Sequence, residues 1–258
     1  MDLTLEQLLS GKQTRIKGKD FFPTAAYVEP FIERLSKFTD NFVCRGVLPK
    51  QITLTKDGDM DLEDQTFNRV WIQAVLPDEY PAPNHDNIIG MVYGLDVKRP
   101  VFKVYKGALN RACTNLCVFN PELLECQEIE PETPVDFRAV DRILKYTDDS
   151  AAMVKKLMNT GFNTDIRLVN EQLGGWIRRC VELSYNTGFG AVKIATSTPV
   201  TAFKMLLYKK DSDYYVGERD ATMYDVYGAF TQVITDNLDR DIMNQAEKTL
   251  LIKDILGI

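Results

Sequence analysis

The sequence predicts an α+β protein with an antiparallel β-sheet in the N-terminal half and a helical C-terminal half. Short segments between residues 42 and 105 alternate apolar and polar side chains, as strands with one buried face do. Apolar residues between 137 and 256 recur instead at helical spacing. An acidic, proline-interrupted stretch at residues 122–136 separates the two patterns. We therefore predict a β-rich region with short N-terminal helices at 1–130 and a helical region at 131–258, packed together as one compact unit.

The composition is typical of a soluble globular protein, because the 258 residues are 45% hydrophobic and 26% charged. No apolar run approaches the roughly 18 residues of a membrane helix. The N-terminus lacks the basic start and apolar stretch of a secretory signal. Five cysteines, an odd number, do not indicate a disulfide framework. We expect a cytoplasmic protein without a membrane partner, and the net charge of -6 argues against a nonspecific polycation.

The N-terminal region begins with a short predicted helix over residues 2–10, in which four leucines give one apolar side and Gly11 ends it. The acid-free run 12–19 is either a solvated loop or an arm that contacts phosphates. A second helix is predicted from Thr24 to about Phe38, interrupted at Pro30.

The predicted strands are 42–47, 51–55, 67–76, 88–95 and 97–105. The third alternates clearly, with Val70, Ile72 and Ala74 on one side. The last has no wholly apolar face, which predicts an edge or a junction element. We predict a helix over residues 108–117, although its Asn and Thr residues are weak helix formers.

The C-terminal half is predicted as five helical segments. They are 137–158, 165–185 with a break or close packing at Gly174-Gly175, a helix capped by Thr198 and started by Pro199, 222–237, and 239–256.

The common catalytic motifs are missing from the sequence. A Ser-His-Asp triad would need the single histidine, His85, which lies in a turn-forming stretch and is predicted to be a solvated loop residue. Cys113 and Cys117 would share a helix face without a second ligand pair for zinc, so buried structural thiols are the better prediction. We assign no catalytic residue, no metal ligand and no cofactor.

The densest acidic cluster runs from Asp57 to Asp64. It is superficially similar to a calcium loop, but Leu62 stands at the glycine position and Asn68 at the final glutamate position. A solvated hairpin tip is therefore the preferred interpretation. A metal-dependent nuclease using this cluster is the third function hypothesis.

A basic strip at residues 97–111 contains no acid, and aromatic residues interleave with it: Phe102 and Tyr105 lie within it, and Trp71 and Tyr93 lie on neighbouring predicted strands. Sheets that bind single strands combine cations for phosphates with rings on which bases stack. The alternative is a strand whose rings lie in the core and whose lysines extend to solvent. The predicted nucleic-acid-binding residues are Arg69, Trp71, Tyr93, Lys98, Arg99, Lys103, Tyr105, Lys106 and Arg111. Trp176 with Arg178 and Arg179 is a second aromatic–basic group, for which a core tryptophan is the preferred interpretation.

Three segments resemble the YafZ/YfjQ-type phage/plasmid-like family of unknown function. Arg111-Ala112-Cys113-Thr114-Asn115-Leu116 resembles its R-x-x-C-x-N-T-L signature, with one residue fewer between Arg and Cys and with Leu directly after Asn. Residues 222–232 resemble its T-x-[YW]-x-L-x-N-A-[VF]-T-[EQ] segment, with Gly228 at the family's Asn position. Arg69-Val70-Trp71 followed by Leu76-Pro77 resembles its R-V-W...L-P strand.

The resemblance spans about residues 40–240, in the right order, and implies a protein of a phage or another mobile element in the host-cell cytoplasm. It brings no catalytic residues. The order of strands followed by segment 108–117 is similar to that of Erf/Sak-type single-strand annealing proteins, in which a sheet and a helix form a basic groove on an oligomeric ring. Cys113 and Asn115 would then have structural roles.

The leading function hypothesis is a phage-encoded homo-oligomer that binds single-stranded DNA, with strand annealing as its extension. The alternative is a non-catalytic interaction protein that binds or inhibits a host or defence protein, or a phage protein. The acidic surfaces at Asp57 to Asp64 and Glu122 to Asp136 favour this second hypothesis, because they suit a basic partner.

Overall fold

The computed structural model describes residues 2–10, 14–16, 19–47, 67–79, 82, 84–95, 99–111, 115–146, 150–217, 219–236 and 242–258. The strands are β1 (Asp2–Leu3), β2 (Thr14–Ile16), β3 (Lys19–Phe21), β4 (Phe42–Val47), β5 (Arg69–Glu79), β6 (His85–Gly94), β7 (Val101–Asn110), β8 (Leu116–Cys117), β9 (Leu124–Glu128), β10 (Gly161–Phe162), β11 (Tyr185–Asn186), β12 (Ala191–Val192) and β13 (Ala221–Thr222).

The helices are α1 (Leu5–Leu9), α2 (Thr24–Leu35), α3 (Arg138–Lys145), α4 (Ser150–Asn159), α5 (Ile166–Glu182), α6 (Ser197–Leu207), α7 (Met223–Thr235) and α8 (Gln245–Leu256), with 3-10 turns at Pro121–Leu123 and Ile242–Asn244. An antiparallel sheet in the N-terminal half and helices in the C-terminal half confirm the predicted α+β class.

The main sheet has the strand order β1-β4-β5-β6-β7-β8, and β9 pairs with β7. The chain falls into two units, each with its own core. We call them the sheet unit (Met1–Pro77, Ile88–Lys106, Leu124–Tyr146) and the helical unit (Asp78–Asn87, Gly107–Leu123, Thr147–Ile258). The acidic stretch that we predicted as a boundary contains β9, which belongs to the sheet unit.

The core of the sheet unit forms where one face of the strands meets α1, α2 and α3. Val70, Ile72 and Ala74 of β5 lie in this core, as their alternation predicts. Rings link the layers: Tyr27 of α2 lies 4.9 Å from Tyr93 of β6, between ring centroids. Pro30 lies inside α2 without ending it.

The predicted helix at 108–117 is wrong. Strand β7 continues to Asn110, and β8 returns beside it with Ala108 opposite Cys117. The Asn110 backbone N–H donates to the Asn115 carbonyl at 3.1 Å and closes the hairpin. Cys113 lies outside the described residues, and Cys117 is a buried strand residue.

The helical unit packs α4, α6 and α8 against α7. Helix α7 is buried along most of its length, and Thr222 and Asp225 form a reciprocal cap at its N-terminus. Helix α5 packs on α6 and α8, and the rings of Trp176 and Phe203 stack at 5.3 Å between centroids. Trp176 is therefore a core residue, as the preferred interpretation held.

Three helix predictions differ in detail from the structure. The segment 137–158 contains two helices, α3 and α4, because the backbone turns to an extended conformation at Tyr146. Gly174 and Gly175 lie inside an unbroken α5. Helix α6 begins two residues earlier than predicted, with Thr196 at the N-cap. No described helix has the length and apolar character that crossing a bilayer requires.

Candidate nucleic-acid interface

The three aromatic rings that we predicted as stacking platforms are buried. Tyr93 is in the core of the sheet unit, where its hydroxyl donates to Thr24 Oγ1 at 3.1 Å and burial raises its pKa. Tyr105 is 1% exposed, and its hydroxyl accepts from Gln73 Nε2 at 3.0 Å. Trp71 is 5% exposed. A base cannot stack on a ring in this position, so these side chains match the alternative interpretation of a core strand.

Two of the predicted phosphate-contacting lysines are also buried. Lys103 is 4% exposed and Lys106 is 9% exposed. The Lys106 ammonium donates to the Tyr146 carbonyl at 3.1 Å, just beyond the C-terminus of α3. Such a contact satisfies a carbonyl that the helix itself leaves without a partner. Arg69 is half-buried, and Lys98 lies outside the described residues.

The remaining two cations of the strip are exposed but paired. Arg99 contacts Glu128 of β9 at 2.5 Å, and this hydrogen-bonded pair raises the arginine pKa and lowers the glutamate pKa. Arg111 contacts Asp86 at 2.7 Å. The strip is free of acids in the sequence, yet the fold supplies a carboxylate to each of these arginines.

His85 is not a solvated loop residue, and that prediction is wrong. It is 1% exposed at the start of β6, and its Nε2 lies 2.9 Å from the Tyr224 hydroxyl. Asn110 Nδ2 donates to the same hydroxyl at 2.6 Å and to Tyr214 at 3.3 Å. These side chains form a polar cluster inside the helical unit, in which His85, Asn110 and Tyr214 are buried and Tyr224 is partly buried.

Asn115 and residues of the segment 222–232 meet in this cluster. Asn115 Nδ2 donates to the Gly228 carbonyl at 3.2 Å, so a structural role for Asn115 is confirmed. A Cβ at Gly228 would lie 1.9 Å from Tyr214 Cε1, which explains why no side chain stands at this position. Asn115 and Gly228 therefore serve packing inside the helical unit.

The described part of the chain has buried thiols and no grouped metal ligands. It contains no group of three His, Cys, Asp or Glu residues close enough to hold a metal ion. The predicted Asp57 to Asp64 cluster lies outside it. Burial raises the pKa of the Cys44 thiol to about 12 and that of Cys180 to about 11, so both are protonated at neutral pH.

A different set of cations is exposed on the helical unit. Nine lysines and arginines between residues 150 and 210 are exposed, and within the described residues no carboxylate lies at ion-pair distance from any of them. We call them the helical basic set: Lys155, Lys156, Arg167, Arg178, Arg179, Lys193, Lys204, Lys209 and Lys210. Two of them bond to backbone carbonyls: Arg179 to Ile255 at 2.8 Å and Lys193 to Val181 at 3.4 Å.

An exposed aromatic ring stands among these cations at the end of α6. Tyr208 is 70% exposed, the highest value among the large hydrophobic side chains described. Its backbone N–H donates to the carbonyl of Lys204, one helical turn earlier, and Lys209 and Lys210 follow it directly. Asp211 and Asp213 come next, and neither forms an ion pair with these lysines.

The sequence indicates the helical basic set through the net charge of a long segment, which a search for short basic runs does not detect. Residues 150–210 contain nine Lys and Arg against three Asp and Glu, a net charge of +6 on a chain whose total is -6. The cations are spread over 61 positions, so no short window stands out. Comparison of the chain with protein-family models, with curated proteins and with solved structures gives no match in any of the three.

Proposed function

We propose that the chain binds single-stranded DNA through the helical basic set. The observation that carries the proposal is the absence of a carboxylate partner for nine exposed cations within the described residues, on a chain of net charge -6. Cations without partners can take the place of the condensed counterions at the phosphates of a nucleic acid, and the release of those counterions into bulk solvent favours binding. Cations already paired, such as Arg99 and Arg111, contribute less because binding must first break their ion pairs.

A single strand is favoured over a duplex because of Tyr208. An exposed ring flanked by Lys204, Lys209 and Lys210 offers one surface for a base and three charges for phosphates. Bases in a duplex are stacked on each other and cannot reach such a ring, whereas those of a single strand can. We therefore propose the ligand that the sequence predicts, single-stranded DNA, but we place its binding surface on the helical unit instead of the strip at 97–111.

A purely structural explanation competes for part of the set. Lys204 lies in the last turn of α6 and two lysines follow it, where positive charge stabilises the negative end of the helix dipole. This effect is worth about 0.3–1 kcal/mol per cation and requires no ligand. It does not account for the exposed arginines and lysines on α4, on α5 and after β12, which lie elsewhere on the unit.

The experiment is a fluorescence anisotropy titration of labelled oligo-dT with the full chain at several salt concentrations. We expect the logarithm of the affinity to fall linearly with the logarithm of the salt concentration, by about 0.7 per phosphate neutralised. A duplex of the same length should bind more weakly. An absence of binding at low salt, or an affinity that ignores salt, would contradict the proposal. If the chain does not bind oligo-dT and a pull-down from host lysate recovers one stoichiometric protein, the interaction-protein hypothesis is favoured.

A further inference from the structure

A groove on the helical unit lies between α5, the C-terminal end of α8 and the start of α7. Its volume is about 410 Å³, which falls in the range of small-ligand sites. Most of its lining is apolar, with a few polar groups at the rim. Its lining includes Gln172, Gly175, Arg179 and Met223.

The two glycines of α5 indicate that a ligand approaches the backbone of this helix closely. Glycine is the poorest helix former after proline, and Gly174 and Gly175 stand in the middle of a 17-residue helix. Neither has positive φ, and a Cβ at either position would meet no atom within 4 Å. Neither the backbone conformation nor the packing of the described residues requires glycine there. At Gly175, the open space is the groove itself.

The polar groups of the groove indicate a ligand that carries a negative charge and a planar ring. Arg179 uses one of its donors on the Ile255 carbonyl at 2.8 Å, and its other donors make no hydrogen bond within the described residues. The Gln172 amide likewise makes none there. A guanidinium binds phosphate oxygens through its remaining donors, and an amide recognises the donor and acceptor edge of a base. The glycine backbone and Met223 leave room for a planar ring.

We propose that this groove holds one nucleotide of the bound strand, with its phosphate at Arg179 and its base edge at Gln172. The proposal rests on the proposed function, since it gives one contact of the same DNA surface, and Arg178 and Arg179 place it beside the helical basic set. The groove adds a base-dependent contribution to the affinity for single-stranded DNA, beyond that of the phosphate contacts.

The test compares wild type with Gly175→Leu and Gly174→Leu. The leucine at 175 occupies the groove, whereas the leucine at 174 makes the same chemical change on the same helix outside the groove lining. Affinities are measured by anisotropy for oligo-dT and for an abasic oligonucleotide of equal length. We expect Gly175→Leu to weaken oligo-dT binding about tenfold, the size of one lost base contact, and to leave abasic binding unchanged. Gly174→Leu should match wild type on both strands.

The outcomes separate this proposal from the proposed function. If wild type binds neither strand, the proposed function fails. If wild type binds oligo-dT with a salt-dependent affinity and both leucine variants bind it equally well, DNA binding stands and the groove proposal is overturned. Equal weakening by both variants, or equal weakening of both strands by Gly175→Leu, also overturns it, because the effect then does not depend on a base in the groove. Circular dichroism melting of each variant verifies that α5 is intact.

Discussion

Within the described residues, the exposed arginines of the sheet unit are paired with carboxylates, whereas most exposed cations of the helical unit are not. In the sheet unit Arg99, Arg138 and Arg142 each contact a carboxylate, and Lys103 and Lys106 are buried. In the helical unit nine exposed cations have no carboxylate at ion-pair distance within the described residues. Arg111 and Arg219 of the same unit are paired with carboxylates. An acid-free run of sequence is therefore no measure of an available positive surface.

The comparison shows that sequence distance hides the partners of surface charges. Arg99 is paired with Glu128, 29 positions away, and Arg111 with Asp86, 25 positions away. In each case a neighbouring strand or turn places the carboxylate beside the arginine. Conversely, the basic set of the helical unit is dispersed in sequence and lies on several elements, so it becomes visible only when exposure and pairing are known for each residue.

Replacing Tyr105 by alanine should lower the stability of the fold more than any other substitution proposed below. An unchanged stability would contradict the contrast between the buried rings of the sheet unit and the exposed Tyr208 of the helical unit. The Tyr105 ring is buried and lies over Gly90, so its removal should lower the free energy of unfolding by about 3–5 kcal/mol. Chemical denaturation measures this loss. The control is Tyr208→Ala, which should change stability by less than about 0.5 kcal/mol but weaken oligo-dT binding by about 1–3 kcal/mol. A stable Tyr105→Ala with weakened DNA binding would return the site to the sheet.

Asp225→Asn should have the next largest effect, about 1–3 kcal/mol, because Asp225 is a buried carboxylate that pairs with Arg219 and accepts hydrogen bonds from Thr222. Burial raises its pKa, but hydrogen bonds from Arg219 and Thr222 outweigh burial and leave the pKa below its usual value of 3.8. The ionised Asp225 side chain therefore contributes in full to the free energy of unfolding above pH 3.8. This contribution is lost as the pH falls through the lower pKa that Asp225 has in the folded state. Urea denaturation at neutral and acidic pH measures it.

The matched control for Asp225 is Asp136→Asn in the sheet unit. The exposed guanidinium of Arg138 lowers the pKa of Asp136 to about 2, but solvent screens this pair. We expect a much smaller loss than for Asp225→Asn at neutral pH. An equal loss from the two variants would show that exposure does not decide what these ion pairs contribute to stability.

Gly174→Ala should have the smallest effect and the opposite sign. Its Cβ meets no atom within 4 Å, so the substitution adds helix propensity without a clash and should stabilise the chain by up to about 1 kcal/mol. Oligo-dT affinity should not change. Thermal melting together with one titration measures both, and destabilisation would mean that the position is more crowded than the structure indicates.

Local pattern predicted much of the fold, but it did not predict the site. Alternation placed Val70 and Ile72 correctly because a period of two depends only on neighbours in one strand. The helix predicted at 108–117 fails because pairing with β7 overrides the weak helical preference of the segment. His85 became buried because Tyr224, 139 positions away, supplies its hydrogen-bond partner. Contacts of this range leave no mark in the local sequence.

The most direct measurement compares two variants that change the net charge equally. Lys204, Lys209 and Lys210 are replaced by alanine in one, and Arg99, Arg138 and Arg142 in the other, and salt-dependent oligo-dT binding is measured for both. We predict that the lysine variant weakens binding and flattens the salt dependence by about two units, since about 0.7 is lost per phosphate contact. The arginine variant should bind like wild type. Equal losses in the two variants, or a loss confined to the arginine variant, would contradict the account.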